Sequence, residues 1–356
     1  MATFGYLVYF LRANAPYRAK ELQRLSAIGD ADDDLLELVD ASLRAMQSKY
    51  VKDENTAEGY RIKTVVRKGR TLDVRINKGP QGAAGEAYDV QNNTSIPTTA
   101  NQALLSGLRA TFVLPMDSYF GLLFVERIGV RHLKQAIYDQ AIHPAAQGTG
   151  MVIHVESFAE AKDWKSLLDP QQALRVSELL EVKESGEDAS TLEQTKVTIV
   201  AEGGLVKKAS QNLKSAIVDR VKNRELRLDK LAELAPLKER QATPDAFSVE
   251  DDAEVKKLTA ELNILHKAPT VSAGLQTALQ QAVPVGRSNL RHRSYTVATG
   301  VDRPERTFSV EGDSLPVFVY HTQQRLSDSG LRNTWLAHAK SILAARNVIL
   351  PPGWSK

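Results

Sequence analysis

Tyr60-Arg61-Ile62-Lys63-Thr64-Val65-Val66 and Thr71-Leu72-Asp73-Val74-Arg75-Ile76, joined by Arg67-Lys68-Gly69-Arg70, carry the reading of the fold. In both runs apolar and polar residues alternate, the period at which a strand sends successive side chains to opposite faces. A glycine lies in the short joint. The two runs therefore predict an antiparallel hairpin with one face on a core and the other in water.

Toward the N-terminus, Ala31 to Lys49 predicts a helix, because Leu35, Leu38, Val39, Leu43 and Met46 recur at three and four. Its start, Asp30-Ala31-Asp32-Asp33-Asp34, complements the positive end of a helix dipole. A metal-binding carboxylate cluster is the alternative, disfavoured because adjacent carboxylates on a helix point in different directions. Phe4, Tyr6, Val8 and Phe10 alternate with their neighbours, so Thr3 to Leu11 reads as a strand. It is not read as a signal peptide: no basic segment opens it, and Pro16, Arg18 and Lys20 stand where a cleavage site would be. With no apolar stretch near the roughly 20 residues that span a bilayer, the expected location is the cytoplasm.

Toward the C-terminus, Asn77 to Gly85 is glycine-rich but has neither GK[ST] nor G-x-G-x-x-G spacing. It reads as a surface loop, continued by Gln91 to Asn101, rather than a phosphate cradle. Tyr119 to Arg127 is the strongest apolar run and predicts a buried strand. A helix from Arg131 to Ala141, a turn at Gly148-Thr149-Gly150, a strand from Met151 to Phe158, a short helix from Glu160 to Leu168 and a strand from Lys196 to Ala201 follow. After Gly203-Gly204 the texture changes. Leu205 to about Arg240 is one long helical pattern with Leu213, Ile217, Val221, Leu228 and Leu231 on a stripe. A linker, Ala242 to Glu250, leads to an acidic helix ending near His266. Strand-like runs cover Ser294 to Thr299, Thr307 to Val310 and Val317 to Tyr320. A last helix, Gly330 to Arg346, places Leu331, Trp335, Ala339 and Ile342 on one face. The expected class is α+β in three segments: an N-terminal domain with antiparallel strands over 1–204, a helical arm and linker over 205–245, and a smaller C-terminal α+β domain over 246–356.

Composition narrows the chemistry. The 356 residues suffice for two domains, and the 42% apolar share is ordinary for a globular chain. There is no cysteine, which removes disulfides, thiolate metal sites and cysteine nucleophiles. The seven histidines stand singly, without HExxH or H-x-E spacing. No serine sits in a G-x-S-x-G elbow; Leu105-Ser106-Gly107 lacks the first glycine. Asp251-Asp252-Ala253-Glu254-Val255-Lys256 has the residue types of a metal-dependent nuclease, but it falls in a helical run and reads as a solvated helix start. No catalytic residue, metal ligand or cofactor follows from these patterns, and the reading leans away from an enzyme.

The 46 Lys and Arg exceed the 43 Asp and Glu by only three, so clustering matters more than net charge. Lys207, Lys208, Lys214, Arg220, Lys222, Arg224 and Arg227 crowd the first part of the long helix, with Arg220, Arg224 and Arg227 on one face. Such a stripe suits phosphate contacts. The other reading is that their stems flank the apolar stripe while their heads reach water. A second patch, Gly286 to Tyr295, holds Arg287, Arg291 and Arg293 and reads as a loop suited to backbone contacts with nucleic acid. Arg67, Lys68 and Arg70 at the hairpin tip form a third.

The order of these elements over roughly residues 1 to 205 resembles the RexA-like proteins of lambda-type prophage exclusion. It is similar, too, to the KwaB-like component of Kiwa antiphage systems. The resemblance lies in the N-terminal strand, the Tyr60 to Ile76 hairpin, the strand Tyr119 to Gly129 and the strand-then-helix Met151 to Leu168. It implies a homodimer without enzymatic activity that binds double-stranded DNA with little sequence preference and takes part in phage exclusion. A membrane effector protein encoded nearby would be its partner. The alternatives are a metal-dependent nuclease whose carboxylates meet only in the fold, and a scaffold or phage structural protein with a solvated basic surface.

Overall fold

The computed structural model describes residues 3–52, 58–80, 85–89, 94–98, 103, 105–129, 131–167, 173–182, 196–201, 204–242, 247–266, 290–299, 306–309 and 317–356. The fold is α+β. It divides into two compact units, Met1–Glu156 with Val319–Lys356, and Ser157–Phe318. This differs from the division expected at 204 and 245. The long helix lies inside the second unit, and the last segment belongs to the first. The reason is strand pairing: Tyr320–Thr322 runs antiparallel to the N-terminal strand, with Tyr6 opposite Tyr320.

In the first unit, β1 (Phe4–Asn14) and β2 (Leu22–Gln23) precede α1 (Leu35–Ala45). The acidic stretch before α1 supplies its cap: the Asp34 carboxylate accepts from the Leu36 backbone N–H at 2.9 Å. The strands β3 (Tyr50–Lys52), β4 (Glu58–Lys68) and β5 (Thr71–Pro80) follow. The last two are the expected hairpin, with Tyr60 to Lys68 paired antiparallel to Thr71 to Lys78. Gly69 turns it at φ +54°, and the carbonyl of Trp354 lies against its Cα where a side chain would stand. The stretch expected to be loop from Asn77 to Asn101 is partly strand: β5 continues to Pro80, and β6 (Gly85–Asp89) pairs with β7 (Thr94–Thr98). Residues 81–84, 90–93 and 99–102 lie outside the described residues. The strands β8 (Ser106–Val113), β9 (Gly121–Ile128) and β10 (Arg131–His132) come next. A helix then runs from α2 (Lys134–Ile137) through a π segment (Tyr138–Ile142) into α3 (His143–Thr149). The strand β11 (Val152–Phe158) follows, and near the C-terminus β16 (Tyr320–Thr322) precedes α7 (Asp328–Ala344).

Among the described residues the main sheet holds ten strands in the order β11-β1-β9-β8-β5-β4-β3, with β2 and β16 on β1 and β10 on β9. Alternation decides its faces. On the inner face, Leu7, Tyr9 and Leu11 of β1, Ile62 and Val65 of β4, Leu72, Val74 and Ile76 of β5, Leu108 and Phe112 of β8, and Leu123 and Val125 of β9 are buried. They form one core with Leu35, Leu36, Val39 and Leu43 of α1 and Ile137 and Ile142 of the helix that follows β10. The outer face is half apolar. Tyr6, Val8 and Phe10 of β1 and Leu122 and Phe124 of β9 are buried there. Trp335 of α7 sits with its ring 6.2 Å from Tyr6 and 6.0 Å from Phe124. The expected apolar face of that last helix is the one that is buried, Leu331, Trp335, Ala339 and Ile342, joined by Leu343.

In the second unit, α4 (Ala161–Leu167), β12 (Ala173–Val182), β13 (Lys196–Ala201), α5 (Gly204–Gln241), α6 (Val249–His266), β14 (Leu290–Thr299) and β15 (Arg306–Ser309) form a small sheet with helices, in strand order β13-β12-β14-β15. Ile217, Val221, Leu228 and Leu231 of α5 are buried within the single chain, and α6 buries Val255, Leu258 and Leu262. The α5 stripe is thus covered by its own chain at these positions.

Candidate functional site

The other half of the outer sheet face is polar, and the same alternation makes it so. With Leu72, Val74 and Ile76 turned to the core, Thr71, Asp73, Arg75 and Asn77 must face outward. With Leu108, Ala110 and Phe112 inward, Arg109 and Thr111 face outward on β8. A bulge in β4 between Ile62 and Thr64 adds Lys63 to this side. The strand register then lines up a row: Thr64 opposite Arg75, Arg75 opposite Arg109, and Glu126 opposite Tyr6.

Two like charges directly opposite on neighbouring strands repel. Arg75 and Arg109 are held together by carboxylates. Glu126 of β9 takes Arg109 in a fork, at 2.6 Å from Nη2 and 2.9 Å from Nε, and accepts the Arg109 backbone N–H at 3.1 Å. Arg325 donates to Glu126 as well, at 2.9 Å. Asp328, in the first turn of α7, bridges the two opposed arginines: Arg109 donates to one oxygen at 2.9 Å and Arg75 to the other. Ser327 caps that helix by accepting from the Gly330 N–H at 3.1 Å. Nearby, Arg332 donates to Asp73 at 2.7 Å, and Thr111 donates to the other Asp73 oxygen at 2.7 Å.

Burial differs sharply along this network. The Glu126 and Arg109 side chains are 4% and 10% exposed, whereas Arg75, Arg325 and Asp328 are 35%, 42% and 67% exposed. Burial pushes the Glu126 carboxyl up, but the hydrogen bonds and charges of Arg109 and Arg325 outweigh it, so it titrates below its ordinary value. Burial works against the Arg109 charge, and Glu126 and Asp328 more than restore it. For Asp328, partial burial raises the value, and the donors and charges of Arg75 and Arg109 overcome it to leave it lowered.

Two adjoining pockets of about 540 and 600 Å³ open over this network and share Arg75, Arg109 and Asp328. Lys63, Lys68, Arg75, Arg109, Arg325 and Arg332 line them, against the carboxylates Asp73 and Asp328. Lys63 and Lys68 are exposed. The result is an open groove with surplus positive charge, and guanidinium planes in it can take two oxygens of one anion. Among the described residues no three His, Asp or Glu side chains are grouped so as to hold a metal ion.

The residues expected from sequence to bind nucleic acid belong to the second unit. Lys207 and Lys208 are on α5, with side chains outside the described residues. Lys214, Arg220 and Arg227 are half-buried on α5, and Lys222 is exposed 4.0 Å from Asp219. Arg224 donates to the carbonyl of Ser157, so part of the arginine stripe is turned into the unit's own packing. Arg287 lies outside the described residues. Arg291 and Arg293 stand on β14, which corrects the expected loop. That strand is paired on both sides, by β12 and β15, with Arg291 in register with Glu181. At the hairpin tip, Arg67 pairs with Glu37 at 3.2 Å, and Arg70 is buried against Asp34 and the Leu114 carbonyl, anchoring α1. Only Lys68 of that patch joins the groove. In the Asp251–Lys256 run, expected to be a helix start, Asp251 accepts from the Ser248 backbone N–H and pairs with Arg240 at 2.7 Å.

Sequence reasoning missed Arg75, Arg109, Arg325, Asp328 and Arg332. Two signals pointed to them: the alternation of Leu108-Arg109-Ala110-Thr111-Phe112, and Ser327-Asp328 standing before Leu331 as a helix start. Comparison with protein-family models and with curated proteins finds no match to this chain.

Proposed function

We propose that the protein binds double-stranded DNA without sequence preference, through phosphate contacts from the outer face of β4, β5 and β8. The observation that supports this most is the groove that gathers Lys63, Lys68, Arg75, Arg109, Arg325 and Arg332 against two carboxylates. Guanidinium and ammonium groups on a rigid sheet suit phosphate oxygens and read no base, so affinity follows charge rather than sequence. Lys214, Arg220, Lys222 and Arg227 of α5 are a second basic set in this proposal. The phage-exclusion setting, the homodimer and a membrane effector partner are the parts of the proposal that rest on the resemblance, and a cytoplasmic location is part of the proposal as well. In support of the location, no helix among the described residues is long and apolar enough to cross a membrane.

A gel-shift titration with two unrelated duplexes at several salt concentrations tests the reading. Both duplexes should bind alike, with affinity falling by a log–log slope of about −0.9 per phosphate neutralised. No shift of either duplex at about 50 mM salt, where phosphate contacts are strongest, overturns it.

A further inference from the structure

Arg75 and Arg109 are cross-strand neighbours of like charge, and the residue that reconciles them is an exposed one. Asp328 is 67% exposed, yet each of its oxygens takes one of the two guanidinium groups. It leads a helix of 17 residues, Asp328–Ala344, whose first backbone N–H groups carry partial positive charge at the same place. Two guanidinium groups and a helix start converging on one carboxylate make the donor set that a tetrahedral phosphate group takes. Arg109 cannot leave, since Glu126 holds it from the buried side. Arg75 is a third exposed and opens to the pockets on both sides.

We infer that the Arg75–Arg109 pair is the phosphate subsite of the groove and that Asp328 is its resident competitor, displaced when a phosphate group enters. This rests on the phosphate-binding reading and deepens it. A free aspartate carboxylate on a helix turn carries one negative charge, and a phosphate monoester carries up to two. A phosphodiester carries one but brings neighbours that Lys63 and Lys68 can meet. Displacement therefore needs either higher charge or more than one contact, so Asp328 raises the threshold against isolated monoanions and leaves polyanions able to enter.

The test compares the parent with D328N in the full chain, using a fluorescent duplex and, separately, inorganic phosphate. Asparagine keeps the shape and the start of the helix and removes the competing charge. D328N should bind the duplex about three- to tenfold more tightly at low salt, the range expected for removing one negative charge next to a phosphate. Its salt slope should steepen by about one unit. R75Q, on the exposed side of the sheet, should weaken the parent and cancel the gain in the double variant D328N/R75Q. Equal or weaker duplex binding by folded D328N, with the parent still binding, overturns the subsite and leaves the DNA reading in place. If neither protein binds the duplex but D328N takes up inorganic phosphate more tightly than the parent, the subsite stands and the DNA reading falls. If neither binds the duplex and phosphate binding is unchanged, both fall. Should D328N fail to fold, R75Q alone decides: unchanged duplex and phosphate binding overturns the subsite.

Discussion

The outer face of one sheet carries two opposite environments side by side. Over β1 and β9 it is aromatic and sealed, with Tyr6 and Phe124 against Trp335 of the last helix and Phe10 buried beside them. Over β5 and β8 it is ionic and open, with Arg75, Arg109 and Asp73 under the start of the same helix. Glu126 and Tyr6, cross-strand neighbours, mark the border. One helix thus serves both: its middle buries indole and aliphatic surface, and its first turn supplies a carboxylate to arginines. The difference teaches that the helix is held by the apolar half, which leaves the ionic half free to exchange partners without loss of the fold.

Four variants sharpen that contrast, and the largest effect falls on the apolar half. Trp335→Ala should cost about 3 to 5 kcal/mol of unfolding free energy, as other buried aromatic truncations do, read by urea denaturation. A loss below about 1 kcal/mol would mean that the aromatic half does not hold the helix.

Next comes the border. Glu126→Gln removes the buried partner of Arg109 and Arg325 and should cost about 3 kcal/mol, the low end for breaking a buried pair. Acid should act on the same group. The Glu126 carboxyl is lowered in the folded chain, so its contribution is fully present above its ordinary value of 4.5 and is lost as pH falls through the lower folded value. Asp328 adds in the same direction. Melting followed from neutral pH down through the acid range should therefore show a loss of stability that is smaller in the Glu126→Gln variant. A parallel loss in both proteins would remove Glu126 from the account.

The smallest expected effect on stability, and the one aimed at binding, is on the open half. The double variant Lys63→Glu with Lys68→Glu should keep the melting temperature within a few degrees. It should weaken duplex binding at least about tenfold, or roughly 1.4 kcal/mol. Arg220→Ala with Arg227→Ala on the second unit should weaken it by less than about threefold, because those side chains are half-buried along a packed helix face. Anisotropy titrations of both variants with one duplex make the comparison. The reverse ranking would move the interface to the second unit.

Local pattern made much of this readable. The hairpin from Tyr60 to Ile76 follows from period-two alternation, and the face of the last helix from spacing at three and four, because each burial decision there is made within a few residues. The groove was not readable, because its geometry is made across the chain. Asp328 lies 253 residues from Arg75 and 219 from Arg109 along the sequence. No window on Arg109 shows that Arg75 will stand opposite it, since that follows from strand order. Arg291-His292-Arg293 failed differently: arginine and histidine have weak strand preference, and the strand that pairs with them, Ala173–Val182, has a mixed Arg, Ser and Glu content that hid it.

The return of the chain to its first sheet has a consequence for the timing of synthesis. The Ser157–Phe318 unit interrupts the other, so the strand Tyr320–Thr322 and the helix Asp328–Ala344 leave the ribosome only after it. At about 5 to 20 residues per second, the nascent first sheet waits on the order of 10 to 30 s with Phe10, Leu122 and Phe124 uncovered on its outer face. During that interval the inner core with α1 can form, whereas the aromatic face is a surface that chaperones or neighbouring nascent chains can reach. A ribosome that stalls within the interrupting unit would therefore release a chain whose sheet is assembled and sticky. Completion of that face hinges on residues made after the whole interrupting unit.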